Sequence, residues 1–214
     1  MPDTAVPKIS RRVLLAAAGA ILPGVAAAAS RNVVTLLGDS ITAGYGLAAA
    51  EALPAQLQAA LARLGVAAVV RGAGVSGDTT AGGLARVDFS VQADTDVCVV
   101  ALGGNDLLQG LDTARTQGNL DRIVQRLQAR RIGVVLAGLT APAALGGAYA
   151  RDFDAVFPAV ARRRRATLYP DLLAGVGRDP RLKQRDGIHP NAQGVRIIAQ
   201  RLAPVVARAL AART

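Results

Sequence analysis

The sequence contains one histidine and one cysteine among 214 residues, and it contains no tryptophan. Cys98 alone cannot form an intrachain disulfide, and its position in an apolar run indicates a small buried hydrophobic residue and a poor nucleophile. A single histidine without paired cysteines cannot build the usual zinc sites, so we expect no metal. His189 is therefore the one side chain whose ordinary pKa lets it exchange protons near neutral pH. This makes it the first candidate for a catalytic base.

Motifs of several other enzyme classes are also absent. The chain has no Gly-x-x-x-x-Gly-Lys-Ser/Thr segment, and no Rossmann glycine pattern follows its first apolar run. An α/β-hydrolase is expected to show Gly-x-Ser-x-Gly around its nucleophile, but Thr42 occupies the position of the second glycine. These absences exclude the usual phosphate-loop, dinucleotide-binding and nucleophile-elbow motifs.

Aromatic residues are few, with three tyrosines and three phenylalanines, and the hydrophobic fraction of 51% comes mainly from alanine, leucine and valine. This composition is typical of a layered α/β protein. The formal charge of +10, mainly from arginine, favours contact with anionic surfaces or lipids. The run Arg162-Arg163-Arg164-Arg165 lies at a predicted helix end, where carbonyls favour cations, and no aromatic residues are interleaved with it. We therefore expect no nucleic-acid partner.

The first 29 residues predict a signal peptide of the twin-arginine type. Lys8 and the pair Arg11-Arg12 precede an apolar run from Leu14 to Ala29, which ends in the small residues that a signal peptidase accepts. The alternative is an uncleaved N-terminal helix or anchor. Cleavage near Ala29 would leave one domain, residues 30–214, which we expect to be exported to the periplasm or secreted.

Strand and helix patterns alternate through the rest of the chain. Short apolar runs predict strands at residues 33–37, 66–70, 97–102, 133–139 and 167–169. Helical periodicity predicts helices at residues 51–64, 113–130, 149–163 and 191–211, and a short helix capped by Thr79 or Thr80 that reaches Arg86. Pro158 predicts a kink or an early helix end, and Pro204 predicts a bend. The alternation indicates an α/β fold with a five-stranded parallel sheet between two helical layers, in the flavodoxin-like order 2-1-3-4-5.

His189 and Asp186 stand three residues apart in Asp186-Gly187-Ile188-His189, close enough for the carboxylate to hold one ring nitrogen. Ser40 follows the first predicted strand and can supply the nucleophile of a Ser-His-Asp triad. For acyl transfer, Ser40 would attack, His189 would take its proton, and Asp186 would orient the imidazole. The alternative is that His189 only fills or caps a turn.

Two further segments follow strands whose carboxyl ends meet at one edge of the sheet, where ligands of such sheets bind. They contain Gly77 and Asn105. The backbone N–H groups of Ser40 and Gly77 and the side-chain amide of Asn105 can donate hydrogen bonds to the oxyanion of a tetrahedral intermediate. In the alternative interpretation, the glycines are only turn residues, and Asn105 or Asp106 caps the next helix.

Four segments together resemble the signature blocks of the SGNH hydrolases, also called the GDSL family: Gly38-Asp39-Ser40-Ile41, Gly77, Gly103-Gly104-Asn105-Asp106, and Asp186-x-x-His189. The resemblance runs from Val33 to about Leu210. Its details are most similar to the bacterial periplasmic branch of thioesterases, lysophospholipases and arylesterases. It implies the same triad and the same three oxyanion donors, with no cofactor. The chain departs from the common family pattern at two places. Ile41 stands where leucine is commonest, and Arg71-Gly72-Ala73-Gly74 precedes the second block, where relatives often have Asn-Ala-Ser or a similar segment.

The resemblance implies an enzyme that cleaves aryl or short- to medium-chain acyl esters, and it extends to acyl thioesters and lysophospholipids. Leu107, Leu108, Leu145 and Tyr149 are candidate walls for an apolar acyl group, although the leucines equally suit a core. Two alternatives remain at this point: an acetylesterase that acts on carbohydrate, and a non-catalytic exported binding protein with the same fold.

Overall fold

Five parallel strands form one sheet in the computed structural model, which describes Met1 and residues 32–142 and 145–213. The strands are β1 (Asn32–Gly38), β2 (Ala68–Gly74), β3 (Val97–Ala101), β4 (Gly133–Ala137) and β5 (Thr167–Tyr169). Their order across the sheet is β2-β1-β3-β4-β5, and every neighbouring pair is parallel. The predicted order is confirmed.

Helices connect the successive strands, a last helix follows β5, and together they cover both faces of the sheet. They are α1 (Ser40–Ala43), α2 (Leu53–Arg63), α3 (Thr80–Ser90), α4 (Gly104–Leu108), α5 (Thr113–Ala129), α6 (Gly147–Arg164) and α7 (Ala192–Ala211). Short 3₁₀ turns lie at Ala49–Glu51 and Pro180–Leu182. The predicted three-layer α/β/α architecture is confirmed, and in the part of the chain described here no helix is long and apolar enough to cross a membrane.

Alternating residues of β3 show how the two layers form. Val97 and Val99 pack into the cluster that includes α2 and α7, whereas Cys98 and Val100 pack into the cluster that includes α3, α5 and α6. All four residues are fully buried, because successive side chains of a strand point to opposite faces and helices cover both. The burial of Cys98 raises the pKa of its thiol to about 12, which makes it inert as a nucleophile.

The second strand differs most from its prediction. It begins at Ala68 and continues to Gly74, whereas the sequence pattern predicts a strand at 66–70 followed by a loop. Glycine has a low strand propensity. At Gly74 it permits close packing, because a Cβ atom there would lie 2.3 Å from the backbone nitrogen of Ala43. Pairing with β1 along all seven residues outweighs the low strand propensity.

Of the two outcomes predicted for Pro158, a kink or an early helix end, the early end is wrong, because α6 continues through Pro158 to Arg164. Phe153, Phe157 and Val160 of this helix are almost fully buried, and that packing offsets the hydrogen bond that proline cannot donate. Likewise α7 runs through Pro204 to Ala211. The basic run ends α6 as expected for cations near C-terminal carbonyls.

The predicted signal peptide, residues 1–29, lies outside the described residues except for Met1. The described residues 32–142 and 145–213 belong to one compact unit, which contains the sheet.

Candidate active site

Ser40 is the first residue of α1, directly after the turn that ends β1. The Asp39 carboxylate caps this helix, since its Oδ1 accepts a hydrogen bond from the Ile41 backbone N–H at 3.0 Å. A Cβ atom at Gly38 would lie 2.0 Å from Oγ1 of Thr42, so the tight passage from strand to helix requires glycine. The turn places Ser40 at the carboxyl edge of the sheet, where it lines a cleft.

The turn before α7 holds Asp186 against His189. Oδ1 of Asp186 accepts hydrogen bonds from the backbone N–H groups of Ile188 at 2.9 Å and His189 at 3.0 Å. Gly187 has a φ of 68°, in the left-handed region that glycine adopts readily. The other carboxylate oxygen, Oδ2, lies 2.6 Å from Nδ1 of His189. Asp186 therefore fixes both the backbone of the turn and one side of the imidazole.

The other side of the imidazole faces Ser40, with His189 Nε2 2.9 Å from Ser40 Oγ. An ionised carboxylate can only accept a hydrogen bond, so Nδ1 of the neutral imidazole carries the hydrogen and Nε2 carries the lone pair. The Ser40 hydroxyl then donates to Nε2. The structure thus brings the three predicted side chains into one hydrogen-bonded row.

The charge of Asp186 is well stabilised. The hydrogen bond from His189, followed by the two backbone N–H donors, lowers the pKa of the Asp186 carboxyl to about 2. The group is therefore ionised at neutral pH. A carboxylate that stays ionised accepts the Nδ1 hydrogen and holds the imidazole with Nε2 towards Ser40.

Asp39 is a second carboxylate near the row. Its side chain is buried, and burial raises the pKa of the Asp39 carboxyl to about 6. The hydrogen bond from Ile41 and attraction to His189 lower that pKa, and repulsion from Asp78 raises it. Desolvation is the largest of these effects, so Asp39 titrates close to neutral pH.

The predicted oxyanion donors line the same cleft as Ser40 and His189. Gly77 has a φ of 83°, a backbone conformation that favours glycine. Space is not the reason for glycine here, because a Cβ atom would meet no atom within 4 Å. Nδ2 of Asn105 donates to the backbone carbonyl of Asp78 at 2.9 Å. A primary amide has two hydrogens, and this bond uses one of them.

Helix capping by Asn105 or Asp106 is not what the structure shows. Gly103 is the N-cap of α4 and makes no side-chain capping bond. The Asp106 carboxylate instead accepts hydrogen bonds from the backbone N–H and hydroxyl of Thr80, at 2.8 and 2.5 Å, and from the hydroxyl of Thr116 at 3.2 Å. Asp106 thus connects α4 to α3 and α5 beneath the site.

The cleft has a volume of about 1330 Å³, and one wall is apolar. Of the candidate walls, Leu107 and Leu108 line it, but Leu145 and Tyr149 do not. The Tyr149 hydroxyl instead donates to the carbonyl of Leu111. Further apolar lining residues are Ile41, Leu139, Pro142, Leu172, Leu173 and Ile188.

Tyr45 and Gln184 contact the site without being predicted from the sequence. The rings of Tyr45 and His189 lie 4.6 Å apart between centroids. The Gln184 side-chain amide donates to the carbonyls of Tyr45 at 2.8 Å and Pro190 at 3.0 Å, and so joins the serine loop to the histidine loop. Their adjacency to the Ser40 and His189 motifs was the only signal that the sequence offered.

A parallel α/β/α sheet with a Ser-His-Asp row at its carboxyl edge defines a class of hydrolases distinct from the nucleophile-elbow enzymes. The chain belongs to the GDSL-like lipase/acylhydrolase family, which matches residues 36–197. It is an ester hydrolase of that family. The resemblance to SGNH hydrolases indicated by the sequence motifs is confirmed.

Named relatives agree with this membership. The chain is 39% identical over 163 residues to esterase TesA of Pseudomonas aeruginosa, covering 76% of this chain and 81% of that protein. It is 34% identical over 177 residues to thioesterase 1/protease 1/lysophospholipase L1 of Escherichia coli, covering 82% and 84%. The crystal structure of AlinE4, an SGNH-hydrolase family esterase, matches with a TM-score of 0.71 and 43% identity, covering 84% of this chain and 96% of that one.

Proposed function

We propose that the enzyme cleaves carboxylic esters through a covalent acyl-enzyme on Ser40, with His189 and Asp186 completing its triad. The observation that carries this proposal is the hydrogen-bonded row, in which Ser40 Oγ lies 2.9 Å from His189 Nε2 and His189 Nδ1 lies 2.6 Å from Asp186 Oδ2. Both distances suit direct proton transfer and ring orientation.

In the first half of the reaction, Ser40 Oγ attacks the ester carbonyl carbon while its proton passes to His189 Nε2. Collapse of the tetrahedral intermediate breaks the bond to the alcohol oxygen, which leaves with the proton from Nε2. In the second half, His189 takes a proton from water, and the hydroxide attacks the acyl-enzyme. Ser40 regains its proton, and the carboxylic acid is released.

The negative charge on the carbonyl oxygen requires donors at each tetrahedral stage. The backbone N–H groups of Ser40 and Gly77 and the remaining amide hydrogen of Asn105 are our candidates. Two observations support these roles: all three residues line the cleft, and the hydrogen bond to the Asp78 carbonyl fixes the plane of the Asn105 amide.

The apolar wall favours acyl groups longer than acetyl. We propose aryl and short- to medium-chain acyl esters as substrates, together with acyl thioesters and lysophospholipids, with the acyl chain against Leu107 and Leu108. The names of relatives that include esterase, thioesterase and lysophospholipase support this range.

A panel of p-nitrophenyl esters and acyl thioesters of graded chain length tests the range on purified mature protein. We expect kcat/KM to rise from acetyl to a longer chain, because each methylene placed on the apolar wall is removed from water. Activity confined to acetylated sugars would favour the carbohydrate acetylesterase. Absence of turnover on every ester would favour the non-catalytic binder.

Contact with anionic lipid surfaces is a further part of the proposal. Tyr45, Leu108 and Ile188 are exposed although they line the cleft, and the chain has a formal charge of +10. Apolar side chains beside a catalytic opening, on a cationic protein, suit transient contact with a negatively charged lipid surface. Sedimentation with phosphatidylglycerol vesicles, but not with phosphatidylcholine vesicles, is the expected result.

We also propose that residues 1–29 are an export signal of the twin-arginine type and that residues 30–214 are the exported catalytic domain. The support is the basic segment with Arg11 and Arg12, the apolar run after it, and the small residues before Ser30. Cleavage removes three basic residues and one acidic residue, so the mature enzyme stays basic.

A further inference from the structure

Arg86 of α3 contacts three segments beneath the active site. Its Nε donates to Oδ2 of Asp78 at 2.7 Å, its Nη1 to the carbonyl of Ala73 at 2.9 Å, and its Nη2 to the carbonyl of Gly38 at 2.8 Å. Nη1 also donates to the Ser90 hydroxyl at 3.2 Å. Neither Arg86 nor any of these four partners lines the cleft, so any influence on the reaction passes through other residues.

We propose that Arg86 is a positioning residue for the oxyanion site. The inference rests on the oxyanion roles proposed above for Ser40, Gly77 and Asn105. Hydrogen bonds that begin at the Arg86 guanidinium lead towards these residues along two branches.

The first branch leads to Ser40 and Gly77. The carbonyl of Gly38, which ends β1 just before the serine turn, accepts from Arg86 and also from the Val75 backbone N–H at 3.1 Å. The carbonyl of Val75 in turn accepts from the Asp78 backbone N–H at 3.1 Å, which closes the turn around Gly77. Arg86 thereby ties the start of the serine turn to the loop that carries Gly77.

The second branch leads to Asn105. Asp78 accepts from Arg86 with its carboxylate and from Asn105 with its backbone carbonyl. The guanidinium therefore fixes the residue that orients the Asn105 amide. Asp78 and Arg86 are largely buried, with side-chain exposures of 12% and 19%, so solvent screens this ion pair less than a surface pair.

The sequence around Arg86 is suited to this contact. Asp78, Gly82 and Arg86 follow one another at intervals of four residues, and the helix begins at Thr80. A Cβ atom at Gly82 would lie 1.7 Å from Oδ1 of Asp78, so glycine leaves the space that the carboxylate occupies between the turn and the guanidinium.

Only arginine provides the required geometry. A planar guanidinium has five N–H donors in a fixed fork, and here it serves two carbonyls, a carboxylate and a hydroxyl at once. A lysine ammonium keeps the charge but cannot reach all of these acceptors from one position. Because oxyanion donors act only at short distances from the developing charge, small displacements of Gly77 and Asn105 reduce turnover strongly.

The test compares Arg86→Gln with Arg164→Gln. Arg164 forms a similarly buried ion pair with Asp121, with exposures of 24% and 12%, but that pair joins α5 to α6 and does not line the cleft. Both variants should lose stability in denaturant. Only Arg86→Gln should also lose kcat, by about 10- to 100-fold on a p-nitrophenyl ester, with KM little changed.

Arg86→Lys and Asp78→Asn extend the test if Arg86→Gln folds poorly. Both should fold better than Arg86→Gln, since the first keeps the positive charge and the second keeps the guanidinium with its hydrogen bonds to the Ala73 and Gly38 carbonyls. Both should still show a reduced kcat. Full kcat in both variants would overturn the proposal. So would equal kcat losses in Arg86→Gln and Arg164→Gln, since the effect would then be a general loss of stability.

A double-mutant cycle with Asn105→Ala separates this inference from the proposed function. If Arg86 acts through Asn105, then Arg86→Gln should reduce kcat less in the Asn105→Ala background than in the wild type. Equal reductions in both backgrounds, or no reduction in either, would reject the branch through Asn105 while leaving the triad intact. Undiminished turnover in Ser40→Ala would instead reject the proposed function itself.

Discussion

His189 Nε2 lies 2.9 Å from Ser40 Oγ, although 149 residues separate the two in the chain. Two short turns at the carboxyl edge of the sheet produce this contact, one after β1 and one before α7. Gln184 reinforces it by donating hydrogen bonds to carbonyls on both sides.

Asn105→Ala should lower kcat by about 10²–10³ with little change in KM, because the lost amide acts mainly on the charge that develops in the transition state. Asp112→Ala is the capping control, since the Asp112 carboxylate caps α5 through hydrogen bonds from the Ala114 and Arg115 backbone N–H groups and does not line the cleft. That variant should lose roughly 0.5–2 kcal/mol of stability and keep its turnover. A stability loss without a turnover loss in Asn105→Ala would remove Asn105 from the site.

Asp186→Asn should lower kcat by about 10⁴, because an amide in place of the carboxylate no longer favours the required tautomer or the imidazolium. The backbone bonds of the turn can still form to the Asn oxygen, so the fold should persist. Steady-state kinetics and a denaturant curve check both points. A fall of less than tenfold would contradict the orienting role of Asp186.

Asp39→Asn should stabilise the protein at neutral pH. Burial places the pKa of the Asp39 carboxyl at about 6 in the folded state, above its ordinary value of 3.8, so folding favours the protonated form. The stability gained from protonation is complete below about pH 4 and is lost as the pH rises through about 6. The variant should therefore exceed the wild type by about 1–3 kcal/mol at pH 7, with the difference shrinking towards pH 4.

Asp121→Asn provides a control of opposite sign, since the hydrogen bond from Arg164 holds the pKa of Asp121 below its ordinary value. That variant should be less stable than the wild type at pH 7. Thermal unfolding of both variants across this pH range makes the comparison. Lower stability of Asp39→Asn at pH 7 would show that its hydrogen bond outweighs its desolvation.

Arg11→Lys together with Arg12→Lys should leave the precursor inside the cell if export uses the twin-arginine route. A general secretory substrate would still be exported, because the segment keeps its positive charge. Cell fractionation and the N-terminal sequence of the exported protein distinguish the two. Unchanged export of the double variant would rule out the twin-arginine route.

The sequence predicts the strands and the positions of Ser40, Asp186 and His189 because these depend on local patterns, and the alternation of strands with helices under the right-handed crossover rule predicts the strand order. Apolar runs define the strands, and a single histidine leaves few alternatives for a base. The length of β2 and the continuity of α6 through Pro158 depend instead on strand pairing and packing, which override local propensity. The burial of Asp39 depends likewise on elements distant in sequence.

The measurement that tests the central claim most directly is covalent labelling by a fluorophosphonate, followed by mass spectrometry of the modified peptide. Ser40 should carry the label in the wild type, and Ser40→Ala should bind no label, lose kcat by several orders of magnitude and retain its unfolding midpoint. Ser76 is an internal control, because it lines the same cleft. Labelling at Ser76, or full turnover in Ser40→Ala, would contradict the assignment of Ser40 as the nucleophile.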